Sequence, residues 1–108
     1  MITTLNALAE PNRLHIVELL REGPLPVNEI VERLGLPQPL VSKHLRVLSQ
    51  AGLVTVRRSA QQRIYQLEAA PFAEFDGWLE TFRRIWNARI DRLDGYMQIV
   101  KEEKKRNQ

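Results

Sequence analysis

The chain has no cysteine among its 108 residues. That absence removes disulfides, thiolate metal sites, cysteine nucleophiles and thiol-based redox sensing together. Histidine is nearly as scarce, with only His15 and His44 present, too few and too scattered for a metal site. There is no glycine-rich phosphate loop and no histidine with a carboxylate at useful spacing, so no catalytic residue and no cofactor are expected. Pairs such as Asp91 and Asp94 read as helix surface charges beside Arg89 and Arg92. No apolar run reaches the eighteen or so residues of a membrane span, and "MITTLNALAE" lacks the basic and apolar regions of a secretory signal. The expectation is a cytoplasmic protein with no membrane partner. The most informative absence is of negative charge. All 13 acidic residues lie outside the window between Glu32 and Glu68, which holds Arg33, Lys43, Arg46, Arg57, Arg58 and Arg63. A polyanion-binding surface requires such clearance, because each carboxylate would repel phosphate; a merely solvated basic face is the plainer alternative.

What is present reads mostly as helix. Leu5, Leu8 and Ala9 suggest a short first helix ending before Pro11. Glu10-Pro11 opens a second, with proline at its first position, and Leu14, Ile16, Val17, Leu19 and Leu20 give it a broad apolar face that Gly23-Pro24 closes. Val27, Ile30, Val31 and Leu34 then recur at i, i+3, i+4 and i+7, an amphipathic helix ending at Gly35.

After a turn at Leu36-Pro37 comes "QPLVSKHLRVLSQAGLV". At about 100° per residue, Val41, Leu45, Leu48 and Ala51 fall on one side, while Gln38, Ser42, Lys43, Arg46 and Gln50 fall on the other. Two helices joined by a short turn, the second with a cationic outer face, outline a helix-turn-helix. "LVTVRR" and "RIYQL" follow as two strands of a hairpin with the four-residue loop "SAQQ", which lacks the glycine of a tight primed turn and so suggests a type I turn. Arg57, Arg58 and Arg63 stand at the tip end of this wing.

From Pro71 onward Phe72, Leu79, Trp86, Leu93 and Val100 are spaced seven apart, and Phe75, Phe82 and Tyr96 mark a second row interrupted by Arg89. The spacing predicts one helix of roughly thirty residues, about 45 Å long at 1.5 Å per residue, too long for a small domain to bury. Gly77 and Gly95 weaken it and allow a bend. All aromatic residues but Tyr65 lie between Phe72 and Tyr96, a concentration usual at interfaces. Phe72 and Phe75 are assigned to the domain core; Trp78, Leu79, Phe82, Trp86 and Leu93, with Leu5 and Leu8 of the first helix, are the candidate interface of a homodimer. A pocket for a small-molecule effector between two such last helices, or a protein-interaction module that ignores DNA, are the alternative readings of the stripe.

"ALAEPNRLHIVELL", "GPLPVNEIVERLGLPQPLVSKHLRVLSQAGLV" and "RRSAQQRIYQL" together resemble the ArsR-type winged helix-turn-helix transcriptional regulators over about residues 5 to 68, and "FDGWLETFRRIWNARIDRLDGYM" resembles a cysteine-free subgroup with an aromatic last helix. The resemblance implies a mainly α fold, about five helices plus a two-stranded wing, acting as a homodimeric repressor on a pseudo-palindromic operator, with dimerisation through the first and last helices. Where arsenic-type members carry Cys-x-Cys, this chain has Pro26 and Asn28; where zinc-type members carry Asp and His on the last helix, it has Asp76, Asp91 and Asp94 without histidine. Metal sensing is therefore not carried over. Pro26 and Pro37 also replace the usual Ser or Thr helix caps, forgoing roughly 1 kcal/mol each. The expected partner is double-stranded DNA, bound through Gln38, Ser42, Lys43, His44, Arg46, Arg57, Arg58 and Arg63. His44 sits at the edge of the core side, where packing within the domain competes with a phosphate contact. Residues 1–108 are expected to form one domain: 1–70 the DNA-binding core and wing, 71–104 the dimerisation helix, and 105–108 a frayed tail.

Overall fold

The computed structural model describes residues 1–106. Five helices and three strands follow in the order α1 (Ile2–Leu8), α2 (Pro11–Leu20), β1 (Leu25–Pro26), α3 (Val27–Leu34), α4 (Gln38–Gln50), β2 (Val54–Ser59), β3 (Gln62–Leu67) and α5 (Ala69–Arg106). The chain divides into two compact units, Met1–Glu74 and the part from Phe75 onward. Lys105 and Arg106, expected to fray, are helical, and the rest of that expected tail lies outside the described residues.

Local chemistry fixes the element ends in the first unit. Glu10 caps α2, its Oε2 accepting the Arg13 backbone N–H at 2.9 Å, with Pro11 at the first helical position. The Arg13 side chain turns back to α1, where Nε donates to Ala7 O at 2.7 Å and Nη2 to Asn6 O at 3.3 Å, satisfying carbonyls that a helix C-terminus leaves open. Gly35 ends α3 at φ 66°, a left-handed conformation glycine adopts without steric cost. α4 closes with Leu53 N donating to Leu48 O and Gly52 N to Ser49 O, both 3.0 Å, a Schellman motif that delivers Leu53 into the core.

The core gathers Ala7 of α1, Ile16, Val17 and Leu20 of α2, Ile30 of α3, Val41, Leu45 and Leu48 of α4, then Leu53, Val54 and Tyr65. Leu8 and Phe72 pack partly buried against the same cluster. Leu14, read from the sequence as part of the α2 apolar face, is instead 42% exposed. The α2 apolar set is too wide for one face, and Ile16 and Val17 take the inside.

Two features of the sheet differ from expectation. It has three strands rather than two, in the order β1-β3-β2, with Leu25 opposite Tyr65 and Pro26 opposite Ile64. The β2–β3 register runs through to Ser59 opposite Gln62, so the loop is the two residues Ala60-Gln61, not four. Ala60 takes φ 56°. A positive φ at the first loop position belongs to the primed turns whose twist matches a hairpin, and alanine adopts it here although the sequence offers no glycine.

Candidate nucleic-acid interface

α3 and α4 are separated by three residues, Gly35-Leu36-Pro37, and α4 divides cleanly by exposure. Val41, His44, Leu45 and Leu48 are buried, while Gln38, Ser42, Lys43, Arg46 and Gln50 are exposed. Neither proline-capped helix start has a side-chain cap: Leu40 N and Val41 N of α4 bond to Pro37 O instead. The polar outer face is thus what packing leaves over once the apolar side is committed to the core.

Of the two places the sequence leaves open for His44, the core side is the one it takes. It is only 9% exposed, and its Nδ1 lies 3.7 Å from Glu10 Oε2, so it faces the interior of the first unit rather than the DNA-binding set in which the sequence places it. On the helical wheel His44 closes one edge of the apolar arc, with Leu48, Val41 and then Leu45 following it, so a small turn of the helix decides whether it is covered.

The wing arginines Arg57, Arg58 and Arg63 are all exposed. Arg58 is directly opposite Arg63 across the hairpin, whereas Arg57, opposite Ile64, alternates to the other face. Like charges facing across strands are destabilising, and among the described residues none of the three pairs with a carboxylate. Such a pair is relieved by an anion between or beside them. Gln38 and Ser42 of α4 line one cleft with Arg63, Gln61 and Gln62 of the wing and Asn28 of α3. The start of α4 and the wing tip therefore open onto shared space. Lys43 and Arg46 are exposed on α4 outside that cleft, and Arg57 and Arg58 also lie outside it. Asn28, Gln61 and Gln62 were not expected at the site. Their polarity was visible in the sequence, but only the folded wing brings Gln61 and Gln62 to a cleft shared with α4.

In the second unit, Trp78, Phe82, Trp86 and Leu93 are exposed and Leu79 is half-buried. Phe75, Trp78, Phe82 and Trp86 form a ladder along α5 with ring centroids 5.9, 5.0 and 6.3 Å apart in sequence order. Phe75, assigned from the sequence to the core, belongs to this ladder, while Phe72 does pack on the core. On the same helix Arg83 binds Asp76 and Glu80, and those hydrogen bonds, Asp76 first, hold its guanidinium above its already high ordinary value. In the first unit, Leu5 is half-buried and Leu8 packs on the core, leaving Ile2 as the exposed apolar residue of α1. Among the described residues no group of three or more acidic or histidine side chains is arranged to hold a metal, and no helix is long and apolar enough to cross a membrane.

Two helices around a three-residue turn, followed by a basic antiparallel hairpin, define a winged helix-turn-helix. Residues 10–56 match the model of the bacterial regulatory protein, arsR family. The chain is 51% identical over 63 residues to the HTH-type transcriptional repressor SmtB of Mycobacterium tuberculosis, covering 58% of this chain and 47% of that protein. With the HTH-type transcriptional regulator Rv2034 of the same organism it shares 39% identity over 97 residues, 90% of this chain and 85% of the relative. The crystal structure of the transcriptional repressor BigR from Xylella fastidiosa superposes with a TM-score of 0.62 at 36% identity, covering 75% of this chain and 83% of that one. The chain spans about half the length of the first of these relatives. The chain belongs to the ArsR family of bacterial regulatory proteins.

Proposed function

We propose that the protein is a cytoplasmic repressor that binds a pseudo-palindromic operator as a homodimer and needs no metal to do so. The observation that carries the reading is the acid-free surface formed by the exposed face of α4 and the unpaired wing arginines. Gln38, Ser42, Lys43 and Arg46 are the residues that read base edges and bind phosphate from the major groove: a glutamine side chain pairs with adenine, and lysine or arginine with guanine or phosphate. Arg57, Arg58 and Arg63 bind the backbone and the adjacent minor groove.

A single helix reads only a few base pairs, so selecting one site in a genome calls for two copies. The aromatic ladder of α5 supports pairing, because soluble monomers rarely tolerate so extended an apolar patch. Trp78, Leu79, Phe82, Trp86 and Leu93 form the core of the proposed dimer contact, with Leu5 at its margin and Ile2 a better candidate than the core-packed Leu8. The names of the relatives support repression: two of the three matched above are called repressors.

The test is a mobility shift with labelled duplex from upstream of the protein's own gene, competed with unlabelled duplex of random sequence. Retardation that survives a large excess of random competitor is expected. Equal competition by any duplex would overturn the sequence-specific reading.

A further inference from the structure

His44 lies on the proposed recognition helix but points away from the proposed DNA surface. A buried polar side chain costs stability unless it is partnered. Glu10 stands within salt-bridge reach, its Oε2 3.7 Å from His44 Nδ1, beyond hydrogen-bond length. That same oxygen accepts the Arg13 N–H at the start of α2. One carboxylate oxygen therefore serves two helices, the N-terminus of α2 and the flank of α4. Arg13 continues the chain of contacts to the last carbonyls of α1.

The other charged groups on elements packed against α4 are occupied or face outward. On α2, His15 and Glu18 are exposed; on α3, Glu32 is exposed and Glu29 bonds Arg33 at 2.7 Å; on β2, Arg57 and Arg58 are exposed. Glu10 is the side chain that meets His44. Everything else between α2 and α4 in the core is aliphatic: Ile16, Val17 and Leu20 against Val41, Leu45 and Leu48. Aliphatic contact is non-directional and holds two helices together without choosing between small rolls about their axes. A polar contact does choose. A roll of about 10° moves a side-chain head on the outer face by about 1 Å, enough to spoil a bidentate contact to a base.

We propose that Glu10 and His44 are positioning residues that fix the roll of α4, so that Lys43 and Arg46 on its outer face meet base edges in register. The inference rests on the DNA-binding reading above. It assigns the pair to the choice of sequence and not to the strength of backbone binding, which the phosphate-contacting charges supply whatever the roll.

The experiment compares the full chain with Glu10→Gln and His44→Gln on two probes: a duplex selected by the wild type from a randomised pool, and a mixed-sequence duplex of the same length. Glu10→Gln keeps an oxygen to cap α2 while removing the charge, and His44→Gln leaves the cap untouched. Each variant should lose about tenfold in affinity for the selected duplex, the size of one base contact, with affinity for the mixed duplex within about twofold of wild type. The double variant should lose no more than either single one, since both remove the same contact. Equal losses on both probes, or no loss on either, would overturn the proposal. A wild type that selects no sequence from the pool would instead overturn the DNA reading, and this inference with it.

Discussion

Arg58 and Arg63 face one another across the wing with no carboxylate bound among the described residues, and Arg46 is exposed on the outer face of α4 beside Lys43. These arginines should fail in different ways. Arg46→Ala is expected to cost about 1–3 kcal/mol of operator affinity and to relax base preference at one position of each half-site. Arg58→Ala should weaken binding evenly across sequences and lower its salt dependence. Competition titrations against single-base operator variants distinguish the two; if both substitutions leave affinity unchanged, the DNA surface is elsewhere. The two faces of α4 also separate stability from binding. Leu45 is fully buried, and Leu45→Ala should cost about 2–5 kcal/mol in a denaturant melt, whereas Lys43→Ala should stay within about 0.5 kcal/mol while still weakening DNA binding.

At the scale of elements, what the sequence disclosed and what it hid have physical causes. α3, its turn and α4 were legible because apolar residues recur with the helical period and Gly35 closes the first helix. β1 was not, because two residues, one of them a proline, carry no strand pattern; Leu25 and Pro26 pair only because β3 passes beside them. The wing was legible as two strands, but its loop length was not. Ala60 gives no turn signal, and its left-handed backbone is imposed by strand pairing through to Ser59 and Gln62. Of the candidate site, the exposed face of α4 could be read from helical periodicity and the wing arginines from the charge pattern. The place of His44 could not, since it depends on Glu10 arriving from another helix. Alanine at positive φ costs about 1–2 kcal/mol, part of which glycine's extra unfolded-state freedom offsets. Ala60→Gly should therefore raise stability by up to about 1 kcal/mol, read as a higher melting temperature. A lower melting temperature would show that the turn is not strained.

For the whole molecule, the exposed ladder of α5 and the basic surface of the first unit require one another in the proposed function. Trp86 is 49% exposed in the middle of the heptad row, so Trp86→Glu should turn a dimer at micromolar concentration into a monomer by sedimentation equilibrium. Operator binding should fall with it; a wild-type monomer that binds a palindrome tightly would contradict the dimer. With no cysteine and two separated histidines, adding zinc or a chelator should leave operator affinity unchanged, and a tenfold response would show an unforeseen metal site. Binding of duplex DNA by the acid-free face of α4 and the wing should show in the salt dependence of operator affinity. A dimer contacting about eight phosphates should give a slope of about −7 for log affinity against log salt concentration. A slope near zero would contradict it.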